Sequence, residues 1–192
     1  MKIEHLTNTF VKLEKELSFQ LSNCISFSIA TSFINEYSID ILENCLKKNK
    51  KLQSGRLLIG IYQNFNRKKD LQRLIKLAQQ YSKIFQVHIS TYHSFHWKYY
   101  NFENISNINL FIGSANFTSG GLKNNREIIV KISENKYSKN NSFTKLISAF
   151  DKELANSKSI SQFNLDYYKE SNLNLGSKKS NINPELKSFF EN

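Results

Sequence analysis

Three closely spaced extended segments occupy the stretch from Phe95 to Ile132, at residues 95–102, 107–113 and 126–132. The first half of the chain reads differently. Cys24–Phe33 (CISFSIATSF) alternates Ile25, Phe27 and Ile29 with Ser26, Ser28 and Ala30, which is the period of a strand. Arg56–Tyr62 (RLLIGIY) reads as a buried strand, with Gly60 marking a close backbone approach, and Gln86–Thr91 as a short one. Helical periods separate these strands. Ser38 opens one as a candidate cap; it carries Ile41, Leu42, Cys45 and Leu46 and ends in Lys47, Lys48, Lys50 and Lys51. Residues 67–84 carry Leu71, Leu74, Ile75, Ala78 and Tyr81 on one face. Strands alternating with helices predict βαβ units and parallel pairing, while three strands in quick succession predict a mixed sheet. The chain therefore reads as α/β.

Residues 5–21 place Leu6, Phe10, Leu13, Leu17 and Leu21 at three- and four-residue steps and read as an opening amphipathic helix. Residues 138–155 read as the last helix, through Phe143, Leu146, Ile147, Phe150 and Leu154. At 192 residues the chain has room for one domain with a core. From about Ser157 it turns rich in Ser, Asn and Lys, yet keeps Phe163, Leu165, Tyr167, Tyr168, Phe189 and Phe190. The division expected is a domain over 1–156 and an arm over 157–192 that docks on its own domain or on a partner.

Within the central stretch, strand parity sorts the side chains by chemistry. If residues 96–102 are extended, His96, Lys98, Tyr100 and Phe102 share one face and Trp97 and Tyr99 take the other. The same parity sets Ser114 and Asn116 on one side. A nucleophile or base, a cation and two neutral hydrogen-bonding groups then converge, a set suited to a phosphate ester. The charge points the same way: 27 Lys and Arg against 16 Asp and Glu give +11, which favours a polyanion such as nucleic acid or an anionic membrane face. Cys24 and Cys45 lie in or beside apolar runs without paired spacing and read as thiols of a reducing compartment. The N-terminal stretch contains acids, unlike a signal peptide, and no apolar run approaches the roughly 18 residues needed to cross a bilayer. The expectation is a cytoplasmic protein without membrane insertion.

The central stretch resembles the phospholipase D superfamily, whose pattern is HxKxxxxD, then GSxN and a downstream acid. His96, Lys98, Gly113, Ser114 and Asn116 match it, Glu103 stands five residues after Lys98, where the pattern has Asp, and Glu127 follows Asn116 by eleven residues. The run FHWKYYNFE…LFIGSANFTSGGLKNNREIIV is most similar to the restriction-endonuclease branch. The resemblance implies a mixed, largely parallel sheet flanked by helices on both faces, and catalysis with no cofactor and no metal. It implies His96 as the nucleophile, forming a phosphohistidine, and Glu127 as the carboxylate on its other ring nitrogen. Lys98 and Asn116 would hold the phosphate oxygens, with Ser114 beside them. The chain has one motif where the chemistry uses two histidines, so the resemblance implies a homodimer with a composite site. A separate specificity or effector subunit is a further expected partner.

Blander readings stand beside these. Glu103 reads as a support or salt-bridge residue and Gly120–Gly121 as a turn. Trp97, Tyr99 and Tyr100 are core residues or base-stacking groups. His88, His93 and His96 lack an acid or Cys to complete a metal site. Lys47, Lys48, Arg67, Lys68 and Lys69 are solvated helix ends or the wall of a nucleic-acid channel. Three function classes remain: an endonuclease on DNA, favoured over RNA and set in restriction or antiphage defence; a phospholipid-hydrolysing or phosphatidyl-transferring enzyme; and a scaffold that binds nucleic acid without cutting. Intact chemistry disfavours the last, and the lack of a second motif or an apolar membrane-facing element disfavours the lipid enzyme.

Overall fold

Alternation in Ser26–Thr31 sends Phe27, Ile29 and Thr31 to one face of a sheet and Ser28 and Ala30 to the other, and the architecture grows from that strand. The computed structural model describes residues 1–8, 13–92, 94–138 and 141–170. In order, the elements are β1 (Lys2–Thr7), α1 (Leu13–Asn23), β2 (Ser26–Thr31), α2 (Glu36–Lys48), β3 (Ser54–Ile59), α3 (Lys68–Gln80), β4 (Phe85–Ile89), β5 (Lys98–Glu103), β6 (Asn107–Gly113), β7 (Ile128–Asn135), α4 (Asn141–Ala155) and β8 (Lys158–Ser159). The described strands form one mixed sheet in the order β1-β7-β6-β5-β2-β3-β4-β8. β1, β2, β3, β4 and β6 run one way and β5, β7 and β8 the other. Adjacent parallel pairing is confined to β2–β3 and β3–β4, where α2 and α3 supply the crossovers.

Helices cover both faces. Leu13, Leu17 and Leu21 of α1, Ile39, Leu42 and Leu46 of α2, and Leu71, Leu74 and Leu77 of α3 are buried against Phe27, Ile29, Leu57, Ile59, Tyr100 and Phe111. Full burial of one such Leu or Phe contributes about 1.5–3 kcal/mol. On the opposite face, Phe143 and Phe150 of α4 pack with Ala30, Leu58, Tyr99 and Leu110. Arg56 fastens that layer: it donates to Ser28 Oγ and Asp151 and lies over the Phe150 ring. The serine face of β2 thus meets α4.

Two local expectations change. The predicted helix over 5–21 is a strand followed by a shorter helix. β1 pairs antiparallel with β7, and Leu6, opposite Ile129, packs against the core from an extended backbone. A half-buried leucine satisfies both periods, and the ladder offered by β7 decides between them. Phe10 lies outside the described residues. The cap of α2 is Asn35, with Ser38 as the reciprocal partner three residues later, in a capping box.

Residues 158–170 lie against the domain. β8 pairs with His88 and Ile89 of β4. Tyr168 is buried and its hydroxyl donates to Asn66 O at 2.7 Å. Glu170 accepts from Lys68 N at 2.9 Å, serving the start of α3, where Arg67 makes no side-chain cap. Phe189 and Phe190 lie outside the described residues.

Candidate active site

The directions of β2, β5, β6 and β7 deliver the singled-out residues to one end of the sheet. Thr31, the last residue of β2, is opposite Lys98, the first of β5. Gly113, the last of β6, is opposite Ile129 near the start of β7. His96 therefore leads into β5, Ser114 and Asn116 follow β6, and Glu127 immediately precedes β7. In the βαβ part, the carboxyl ends of β2 and β3 point to the same end, the usual location of a site in such sheets.

Lys98 is buried, with 8% of its surface exposed, while His96 is exposed. The Lys98 amine contacts His96 Nδ1 and donates to His96 O at 3.0 Å. Burial lowers the pKa of Lys98, opposed by the charge of Glu127. Burial first, and then the charge of Lys98, lowers that of His96. The imidazole thus stays neutral to more acidic pH than an ordinary histidine, as an attacking nitrogen requires. Removing the cation should reverse part of that effect. In Lys98→Gln, a proton NMR titration should show His96 titrating at higher pH than in the wild type; an unchanged or lower midpoint would contradict the electrostatic cause.

Glu127 accepts hydrogen bonds from Ser114 Oγ and, at 3.2 Å, from Asn125 Nδ2. Ser114 Oγ also accepts from Ile128 N at 3.1 Å, which locks the β6–β7 opening. The resemblance to the phospholipase D pattern implies Glu127 on the second ring nitrogen of His96. Here Nδ1 faces Lys98, and the carboxylate lies within electrostatic reach of that amine.

Asn116 is held by a residue that carries no sequence motif. Thr31 Oγ1 lies 3.3 Å from Asn116 Oδ1, 3.0 Å from Phe33 O, and accepts from Phe117 N at 3.0 Å. The signal was a hydroxyl ending the otherwise apolar row Phe27, Ile29, Thr31. Gly121 sits in a short π-helical turn, Gly120–Asn124, and a Cβ there would collide with the backbone of Asn116. Gly121→Ala should therefore destabilise the fold by about 1–3 kcal/mol, the usual cost of overpacking, and reduce activity with it; urea unfolding measures the first. An unchanged midpoint would show that the turn yields freely.

The remaining candidates separate from this cluster. Glu103 lies at the far end of β5, opposite Ser26, and pairs with Lys136 at 3.1 Å. Trp97 is half-buried, stacks on Phe95 at 5.8 Å and packs toward the α4 layer. Lys47 and Lys48 end α2 at the opposite end of the sheet from His96, because α2 runs back to the start of β3; Lys47 pairs there with Glu43. Arg67 and Lys69 lie at the near end but pair with Asp70 and Glu36. Lys68 begins α3 beside them. His88 lies on β4 with Nδ1 against Ser157 Oγ, and His93 lies outside the described residues. Among the described residues, no three His, Cys, Asp or Glu side chains gather as a metal site.

Residues 12–160 match the family described as the NgoFVII restriction endonuclease N-terminal PLD domain. The chain belongs to that family. It is a phospholipase D-superfamily nuclease domain, an enzyme of the phosphodiesterase and endonuclease class. Solved structures agree on the fold. Nuc, a phospholipase D family member from Salmonella typhimurium, aligns with a TM-score of 0.63 at 13% identity, over 82% of this chain and 97% of that one. NucT from Helicobacter pylori aligns at 0.59 and 17% identity, over 82% and 98%. A phosphatidylserine synthase from Haemophilus influenzae Rd KW20 aligns at 0.62 and 10% identity, over 82% of this chain and 39% of its own. No curated protein matches the sequence. Among the described residues of this nuclease domain, no helix is long and apolar enough to cross a membrane.

Proposed function

We propose that this nuclease domain is a DNA endonuclease that hydrolyses phosphodiester bonds through a phosphohistidine, without a metal ion, as one half of a homodimer in a restriction or antiphage system. The observation that carries this reading is the convergence of His96, Lys98, Ser114, Asn116 and Glu127 at one end of the sheet in a chain of net charge +11.

His96 Nε2 attacks phosphorus, the P–N bond forms, and the P–O bond to the leaving strand breaks. Lys98 and the Asn116 amide, oriented by Thr31, stabilise charge on the non-bridging oxygens. Attack from Nε2 needs the ring proton on Nδ1, so in this reading Lys98 shifts from Nδ1 to a phosphate oxygen as substrate docks. Glu127 then accepts from Nδ1. The leaving oxygen takes a proton from the second subunit's His96, which enters the cycle as the imidazolium while the attacking ring is neutral. That imidazole afterwards removes a proton from water, which attacks phosphorus and breaks the P–N bond, restoring both rings.

A second copy has a surface to dock on. Beside the site, on the sheet face shared with α4, Ile3, Ile128 and Val130 are 61%, 59% and 39% exposed. Val130 lies between His5 of β1 and Ile112 of β6 in the ladder. An isologous contact through this strip would bring the two His96 side chains toward one axis.

The test is cleavage of plasmid DNA, single-stranded DNA, RNA and phospholipid vesicles by the purified chain in excess EDTA. DNA cutting in EDTA is expected. Cutting that appears only when a divalent cation is restored would overturn the metal-independent mechanism, and vesicle hydrolysis without nucleic-acid cutting would overturn the substrate class.

A further inference from the structure

The loop after β3 reaches the same end of the sheet as His96, and its backbone is unusual. Gln63 and Asn64 both lie in the left-handed region, at φ 51° and 55°, a conformation that costs a non-glycine residue about 1 kcal/mol or more. Two such residues in succession reverse the chain sharply, and Phe65 follows. The fully buried Asn66 ties the loop to the segment after β2: its side chain donates to Gly60 O and Ser32 O and accepts from Ile34 N. Tyr168 holds the Asn66 carbonyl from outside. The result is a fixed aromatic pair. Phe65 meets Phe33 at 5.6 Å between ring centroids, and Phe33 meets His96 edge-on at 6.1 Å and 89°. Both phenylalanines are half-buried, so they present ring surface beside the proposed nucleophile.

We infer that this pair is a stacking subsite for the nucleobase next to the scissile phosphate, and that the nucleotide it holds is unpaired. The inference rests on the nuclease reading above and deepens it by naming the form of the substrate. A ring one residue's breadth from the attacking nitrogen is placed for a base directly adjoining the phosphate under attack. Stacking on a protein ring is available only to a base withdrawn from its own helix, while it tolerates any base identity. The site thereby favours single strands, frayed ends or distorted duplex without reading sequence. The strained loop accords with this role, since the bonds of Asn66 fix the backbone next to Phe65.

The experiment compares kcat/KM of the full chain on a single-stranded oligonucleotide and on the same oligonucleotide with an abasic nucleotide beside the cut. In the wild type the intact strand should be favoured by about tenfold or more, and moving the abasic site several nucleotides away should abolish the difference. In Phe65→Leu, which keeps apolar volume but loses the ring face, the ratio should fall toward one. Phe65→Trp should restore it and provides the readout if the leucine variant fails to fold. A ratio of one in the wild type, or a ratio kept in Phe65→Leu, would overturn the subsite while leaving the nuclease reading intact. Absence of cleavage of either strand by the wild type would remove both.

Discussion

His96→Ala should reduce nucleic-acid cleavage by about 10⁴-fold or more, the scale on which covalent mechanisms lose their nucleophile, with little change in stability. The asymmetry follows from where the residue sits. His96 is exposed, ahead of β5, and it touches the edge of Phe33 and the Lys98 amine. Neither belongs to the packing of α1–α3 against the sheet. Lys98 would keep its bond to the carbonyl of residue 96, so truncation leaves no buried cation newly stranded. Unfolding in urea should move by less than about 0.5 kcal/mol, as for surface changes generally. A rapid acid quench during turnover should trap an acid-labile phosphoryl adduct on the wild type and none on His96→Ala. Retained cutting, or an adduct surviving in the variant, would assign the nucleophile elsewhere.

The sequence makes some of this arrangement plain and hides other parts for physical reasons. Parity along β5 is a local property, so the separation of Lys98, Tyr100 and Phe102 from Trp97 and Tyr99 can be read directly, and the structure places them on opposite layers. The meeting of the end of β6 with the start of β7 is what antiparallel pairing of successive strands gives. What is not local is lost. Leu6 fits a helix or a strand, and only the edge of β7, over a hundred residues away, decides. Lys47 and Lys48 look like candidates for phosphate until chain direction puts them at the wrong end. The partner of Glu127 depends on the β6–β7 opening, where Ser114 bonds both the carboxylate and the backbone of Ile128. Thr31 carries no motif, and its bond to Asn116 spans 85 residues. Phe65 is an ordinary aromatic residue in the sequence, and its place beside Phe33 depends on two left-handed residues and on Asn66.

Val130→Asp should remove activity by a different route, by separating the subunits. Val130 is 39% exposed and Ile3, on the neighbouring strand, 61%, so a carboxylate there costs the single subunit little but would be buried without a partner at an apolar dimer contact. Charge burial of that kind costs several kcal/mol per ion, and it falls on both copies of a two-fold interface. Sedimentation should show a monomer, and cleavage should drop by about 10²–10⁴-fold, the range expected on losing a general acid. A fully active monomer would show that one His96 suffices. Mixing separates the alternatives further. With equal amounts of wild type and His96→Ala exchanging subunits, a composite site leaves only wild-type pairs active, about a quarter of the dimers, whereas independent sites retain about half of the activity. A value near half would assign proton transfer to a group within the same chain, and Glu127, already bonded to Ser114 beside Lys98, would then be the carboxylate to substitute next.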